Sequence, residues 1–359
     1  MRVLVAMSGG VDSSVAAAML VAEGHEVVGA TLKLWGGESD SGCCSVADVD
    51  DARRVAQQLG IDHHVFNLTE EFESAVVAPY VAGHQAGQTP NPCIECNRHI
   101  KFDRLLARAE RLGFDLLATG HHARVAGPVP TGAGTPGQFQ LRRGADLAKD
   151  QSYVLSMLGQ AELRRLVLPV GALTKAEVRA RAAALGLRTA GKPDSQDVCF
   201  IRRDQGRLGF LSTRLELHRG TVVEGDSGAE VGSVDAVELV TVGQRRGMGH
   251  GTDGQRRYVV AVDVPGRRVT VGGAESAMVG TVRLAPASLT WVDGALDPGA
   301  VAIAQVSAHG RPAACTFVVD DGIPAVSFSE RQRPVAPGQT IALYDPADPD
   351  AVVGAGIAD

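Results

Sequence analysis

The chain lacks what would mark a membrane or secreted protein. No run approaches the ~18 consecutive apolar residues that cross a bilayer, so no membrane span and no membrane partner are expected. Its first apolar run, Val3-Leu4-Val5-Ala6, is too short for a secretory signal, so a cytoplasmic location is expected. Cysteine is scarce, 6 in 359 residues, and the spacings, among them Cys43-Cys44 and Cys93-x-x-Cys96, are not those of a disulfide scaffold. Positive charge is also short: the net charge of −6 argues against a dedicated nucleic-acid binder. Its distribution weakens that objection, because residues 142–214 hold 14 Lys and Arg against 7 Asp and Glu, which leaves −13 on the remainder. A basic middle can face nucleic acid, although a solvated charged face is the plainer reading. There is no internal repeat. With 45% hydrophobic and 21% charged residues, the chain reads as soluble and globular, and its length suggests two or three domains.

The most informative stretch is Met7-Ser8-Gly9-Gly10-Val11-Asp12-Ser13-Ser14. It links the apolar run, read as a buried strand, to a helical pattern in which Val15, Ala16, Met19, Leu20 and Val21 recur at three- and four-residue spacing. Asp12 or Ser13 is expected to cap that helix. Gly9 and Gly10 allow a tight turn and close approach of a ligand. Helix N-terminal N–H groups and serine hydroxyls form an anion site, and the expected anion is a phosphate. The spacing is neither G-x-x-x-x-G-K-[ST] nor G-x-G-x-x-G. The pattern S-G-G-x-D-S resembles the pyrophosphate loop of the ATP-pyrophosphatase superfamily, which implies cleavage of ATP between the α and β phosphates.

Further strands are expected at residues 26–32, 64–68 and 114–119, alternating with helices at 46–59, which Gly60 ends, 70–82 and 96–112. That alternation predicts an α/β, doubly wound parallel sheet, with ligands beyond the carboxyl ends of its strands. Residues 128–138 read as a loop, and Thr174 with Glu177 as a capping box for a helix over 175–185. After residue 206 short β segments take over. Residues 258–263 and 268–271 read as a hairpin, and 301–306, 314–319, 324–328 and 340–344 as strands of a small barrel. The expected division is 1–205, an α/β catalytic domain; 206–276, a small β-rich central domain; and 277–359, a C-terminal β-barrel.

Two cysteine segments follow the loop. In Asn91-Pro92-Cys93-Ile94-Glu95-Cys96-Asn97-Arg98-His99-Ile100-Lys101, Cys96 is expected near a helix start among basic residues, which favours a thiolate nucleophile. In Lys192-Pro193-Asp194-Ser195-Gln196-Asp197-Val198-Cys199-Phe200, Cys199 sits in a polar, irregular segment beside Arg202 and Arg203. Cys315 reads as structural.

These runs, together with Ala118-Thr119-Gly120-His121, Lys149-Asp150-Gln151-Ser152-Tyr153 and Val242-Gly243-Gln244-Arg245-Arg246-Gly247, occur in the order found in tRNA-specific 2-thiouridylases. The resemblance spans essentially the whole chain. It implies an adenine nucleotide alpha-hydrolase-like first domain that binds ATP, with Mg²⁺, on Ala6, Met7, Ser8, Gly9, Gly10, Val11, Asp12 and Ser13, with Leu32 and Gly120 around the nucleoside. It implies Asn91, Pro92 and Cys93 at the target base, and tRNA contacts at His121, Lys149, Asp150, Gln151 and Gln339. A further contact near Ser307-Ala308-His309 is carried over only weakly, since the basic or aromatic side chains expected there are mostly missing. Cys93 is a second departure, at a position that is often aspartate.

The implied reaction is 2-thiolation of a wobble uridine, in which ATP activates the C2 oxygen as an adenylate. Cys199 carries a persulfide, Cys96 is the nucleophile, and the pair finishes as a disulfide that a reductant resets. The implied partners are tRNA, a sulfur donor such as a cysteine desulfurase or relay protein, and that reductant, with the enzyme a monomer. No metal site and no tightly bound cofactor are expected. Three other readings compete: an iron–sulfur thiolase using Cys93, Cys96 and Cys199, with Cys43-Cys44 as further candidates; a pyrophosphate-loop synthetase acting on a small metabolite; and an RNA-binding protein with a decayed nucleotide site.

Overall fold

The computed structural model describes residues 1–35, 45–129, 137–194, 198–202, 204–251 and 254–359. The Cys43-Cys44 pair, Ser195-Gln196-Asp197, Arg203 and most of the 128–138 segment therefore lie outside the described residues.

The first strand, β1 (Arg2–Ala6), turns into α1 (Val11–Ala22); β2 (Glu26–Lys33), α2 (Val46–Leu59) and β3 (Asp62–Asn67) follow. Ser45 caps α2 by accepting from Asp48 N, and Gly60 ends it in the left-handed conformation at φ 68°, the usual role of glycine after a helix. A helical stretch over 69–85 and another over 92–111 lead to β4 (Leu116–Thr119). The antiparallel pair β5 (Ala123–Val129) and β6 (Gln138–Arg143) precedes the short edge strand β7 (Leu166–Val167).

These strands form a parallel sheet in the order β3-β2-β1-β4-β7. The chain steps outward from β1 through β2 and β3, then returns to place β4 on the other side of β1. The order therefore reverses between β1 and β4, which is where ligands bind in such sheets. Alternation along β1 sends Leu4 into one apolar core and Val3 and Val5 into another, so the sheet is covered on both faces. The helix Lys175–Ala184 has the expected box: Thr174 Oγ1 accepts from Glu177 N, and Glu177 Oε2 accepts from Thr174 N at 2.7 Å.

A four-stranded sheet follows: β8 (Gly220–Glu224), β9 (Glu230–Val234), β10 (Tyr258–Asp263) and β11 (Arg268–Gly272), in the order β10-β11-β8-β9. The β10–β11 hairpin turns at Val264-Pro265-Gly266, where Asp263 Oδ1 accepts from Gly266 N at 2.9 Å. The rest of the chain is a seven-stranded antiparallel sheet of β12 (Val279–Arg283), β13 (Thr290–Trp291), β14 (Val301–Gln305), β15 (Ala313–Asp320), β16 (Ile323–Gln332), β17 (Thr340–Tyr344) and β18 (Val352–Ile357). Its order is β12-β16-β15-β14-β17-β18-β13, and a bridge between Leu284 and Ala358 brings its two sides together around an apolar core containing Cys315. That thiol is 1% exposed and donates to the Ala302 carbonyl. Among the described residues no helix is long and apolar enough to cross a membrane.

Candidate active site

The phosphate loop follows β1 at the point where strand order reverses. Gly9 takes a left-handed φ of +71°, and a Cβ there would lie 2.2 Å from the Asp48 carbonyl oxygen, so only glycine fits. Neither Asp12 nor Ser13 caps α1. The cap position is Gly10, in an extended conformation with no side chain to accept from the first turn, which leaves its N–H groups open to an anion. The serines instead brace the loop: Ser13 Oγ accepts from Ser8 N at 3.2 Å, and Ser14 Oγ donates to Gly10 O at 2.8 Å.

With its side chain released from capping, Asp12 points across the loop. His122 Nε2 lies 3.0 Å from its Oδ1, and Lys175 Nζ reaches its two oxygens at 2.8 and 2.7 Å. Burial would raise the Asp12 pKa, but these partners outweigh it and hold the carboxyl below its usual range. Gly120, just after β4, closes against the loop from the other side. A Cβ on it would stand 2.4 Å from Ser13 N. Leu32, near the end of β2, is buried. Ala6 to Ser13, Leu32 and Gly120 thus share one edge of the sheet.

His121 Nδ1 pairs with Thr119 Oγ1 at 2.7 Å, and its ring stands 5.9 Å from that of Phe102. Burial, aided by Lys101 and His122, pushes its pKa well below 6.5, so the imidazole is neutral.

Asn91 caps the helical stretch over 92–111, its Oδ1 accepting from Cys93 N at 3.1 Å and Ile94 N at 3.4 Å. The helix therefore starts at Pro92, and Cys93 is the cysteine in its first turn. Cys96 lies one turn further in, which weakens the expected effect of the helix N-terminus on its thiol. Cys96 instead opens a π-helical run, Cys96–Leu105. Such widened turns are rare and gather at functional sites. Cys96 is buried in the core that covers one face of the parallel sheet, and Cys199 packs against that same core. Phe200 fixes the second cysteine. It is 4% exposed, with ring centroids 5.0 Å from Phe210, 5.5 Å from Tyr80 and 5.7 Å from Phe72.

Several residues expected at the tRNA are engaged within the chain. Asp150 is buried and accepts from Arg143 Nη1 at 2.9 Å, Gly144 N at 2.9 Å and Ser152 Oγ at 2.8 Å. Its carboxylate serves the junction with the C-terminal sheet. Gln151 exchanges two 2.8 Å hydrogen bonds with the His122 backbone, its Oε1 accepting and its N–H donating. Gln339 Nε2 donates to the Thr89 carbonyl, and Thr89 N donates to Pro337 O at 2.7 Å, so Pro337-Gly338-Gln339 docks beside Asn91-Pro92-Cys93. Lys149 remains half-exposed and pairs with Asp194 at 2.8 Å.

Residues that sequence reasoning missed complete the site. Lys192 Nζ donates to the Gly9 carbonyl at 2.9 Å and to Asp48 and Asp51 at 2.5 and 2.7 Å. The segment leading to Cys199 is thereby fastened to the phosphate loop. Its place in the Lys192-Pro193-Asp194 run was the only signal in the sequence.

The first 203 residues match the model of the tRNA methyl transferase HUP domain. Residues 209–273 match the tRNA methyl transferase PRC-barrel domain, and 283–358 the aminomethyltransferase beta-barrel domain. A tRNA-specific 2-thiouridylase MnmA of Roseiflexus castenholzii is 44% identical over 375 residues, covering 99% of this chain and 98% of that one. The chain belongs to the tRNA-specific 2-thiouridylase family. Further 2-thiouridylases are 45% identical in Chloroflexus aurantiacus, covering 96% of this chain and 95% of that one, and 44% identical in Mycobacterium sp. strain JLS, covering 98% and 96%. Membership in this 2-thiouridylase family does not favour the iron–sulfur alternative. Among the described residues no group of three or more His, Cys, Asp or Glu side chains is placed to hold a metal ion.

Proposed function

We infer that the protein is an ATP-dependent tRNA sulfurtransferase that converts the C2 carbonyl of a wobble uridine to a thiocarbonyl. The observation that carries this reading is the fastening of the Cys199 segment to the nucleotide loop through Lys192 and Gly9.

The C2 oxygen of uracil is a poor leaving group, so it must first be activated. Open N–H groups at the start of α1, with Ser8 and Ser13, would cradle the phosphates while the C2 oxygen attacks the α-phosphorus and pyrophosphate departs. Gly120 lets the chain after β4 pack directly on the loop backbone at Ser13, and Leu32 would supply an apolar wall for the nucleoside. Mg²⁺ would enter on the phosphate oxygens of the nucleotide, because both Asp12 oxygens are engaged by Lys175 and Oδ1 also by His122. Bound there, Mg²⁺ would supply charge neutralisation on the phosphates.

In the second step the terminal sulfur of a Cys199 persulfide bonds to C2, and AMP leaves with the C2 oxygen. The Cys96 thiolate then attacks the Cys199 sulfur. The bond to the transferred sulfur breaks, its electron pair stays with the sulfur on C2, and a Cys96–Cys199 disulfide remains. Alternatively Cys96 attacks the persulfide first and releases hydrosulfide, which attacks C2. Either route needs both cysteines, a sulfur donor upstream and a thiol reductant to reopen the disulfide. Burial of Cys96 would keep water from the adenylate.

Asn91, Pro92 and Cys93 are proposed to meet the flipped base, which an anticodon loop presents without breaking a pair. His121 is proposed to face the RNA as a neutral imidazole, and Lys149 as a cation. Asp150, Gln151 and Gln339 would contribute through the backbone and junction they hold. A cytoplasmic monomer working on tRNA completes the reading. Incubating the protein with tRNA, ATP and a persulfide donor, then digesting the tRNA for mass spectrometry, tests it. 2-Thiouridine should form with one AMP and one pyrophosphate per residue; ATP-independent thiolation, or none, would overturn the reading.

A further inference from the structure

A chain of charged side chains joins the phosphate loop to the cysteine segment, and the steps above leave it without a role. Lys175 Nζ, 2.7 Å from Asp12, also lies 3.0 Å from Asp194 Oδ1. Asp194 in turn meets Arg179 at 2.8 Å and Lys149 at 2.8 Å. Burial would raise the Asp194 pKa, but Lys149 and Lys175 outweigh that and pull it down to about 2, so the carboxylate stays charged.

The placement of Lys175 is unfavourable for its own helix. It is the first residue of Lys175–Ala184, where the helix dipole repels a cation, and its side chain is only 12% exposed. Two carboxylates from different segments compensate it. Lys192 makes the matching link from the cysteine segment to Gly9, so the short run 192–194 is fastened to the loop at both ends. Cys199 is the fifth residue after Asp194, which limits its Cα to about 17 Å from that of the anchor.

We propose that Lys175 and Asp194 are positioning residues for sulfur transfer: the ammonium shared by the phosphate loop and Asp194 holds the Cys199 segment where its sulfur meets the activated base. The phosphates of ATP would arrive beside the same ammonium, so nucleotide occupancy and the placement of Cys199 draw on one cation. The proposal rests on the two-cysteine reading above.

The test separates the two half-reactions. Asp194→Asn should keep tRNA-dependent pyrophosphate release within about threefold of the parent while 2-thiouridine formation from a persulfide donor falls about 10–100-fold, the usual effect of a small misplacement. Excess free hydrosulfide, which bypasses Cys199, should restore thiolation in this variant. Asp194→Glu keeps the charge and covers a failure of the first variant to fold; it should release pyrophosphate normally and thiolate slowly. Undiminished thiolation in either variant would overturn the proposal, as would parallel loss of pyrophosphate release with no rescue by hydrosulfide in the folded protein. Cys199→Ser is run alongside. If it thiolates like the parent, the two-cysteine reading fails and the proposal with it; if only Asp194 proves dispensable, the reading stands and the proposal alone falls.

Discussion

The phenol of Tyr153 donates to the Thr340 carbonyl at 2.9 Å, joining the Lys149–Tyr153 motif to the C-terminal sheet. Ser152 Oγ lies 3.0 Å from Tyr344 Oη, and the Arg143 guanidinium stacks over the Tyr344 ring at 3.8 Å. Tyr153→Phe leaves that carbonyl short of a buried donor and should destabilise the protein by about 1–3 kcal/mol. In steady-state thiolation the KM for tRNA should rise while the KM for ATP holds, because the Tyr153 hydroxyl reaches the C-terminal sheet and not the nucleotide loop. Equal change in both would contradict this division of labour.

Gly120 packs against the phosphate loop at a distance no Cβ tolerates. Gly120→Ala should push the loop out of shape and raise the Kd for ATP at least about tenfold, a penalty of about 1.4 kcal/mol. Isothermal titration with a non-hydrolysable analogue reads it directly.

Phe200 fills an aromatic cluster next to Cys199. Phe200→Ala should lower stability by about 3–5 kcal/mol. Phe200→Leu, a milder change, should keep the fold and pyrophosphate release while slowing sulfur transfer. A rapid-quench time course of 2-thiouridine formation distinguishes the two effects.

His84 is 1% exposed, with Nδ1 3.2 Å from the Glu238 carbonyl between the first helices and the central sheet. Burial lowers its pKa to about 4 from 6.5, with Arg207 adding to the effect. The folded state therefore resists protonation where the unfolded chain accepts it. The contribution is complete above pH 6.5 and is lost as pH falls toward 4, by about 3 kcal/mol in all. Urea midpoints at pH 7 and pH 4.5 should converge in His84→Gln relative to the parent. A parent-like slope would contradict this assignment.

Much of this was legible in the chain. An apolar run, two glycines and a three-to-four spacing were enough to place β1, the loop and α1, because each is a local pattern. The Thr174–Glu177 box and the β10–β11 hairpin were readable for the same reason. The cap at Gly10 was not: Asp12 suits a cap, but its carboxylate does better against His122 and Lys175, which are distant in sequence. Ion pairs such as Lys175 with Asp12 leave no periodic trace, so the roles of Lys175, Lys192 and Asp194 emerge only in the fold. Nor does composition reveal that helical turns widen at Cys96, or that Asp150 and Gln339 face inward.

The central claim is that two cysteines, acting on a base activated at one nucleotide loop, perform a single sulfur transfer. Nucleoside mass spectrometry of tRNA after one turnover with Cys96→Ser and Cys199→Ser tests it most directly. Each variant should still release pyrophosphate and form little or no 2-thiouridine from a persulfide donor. Full thiolation by either variant would contradict the account.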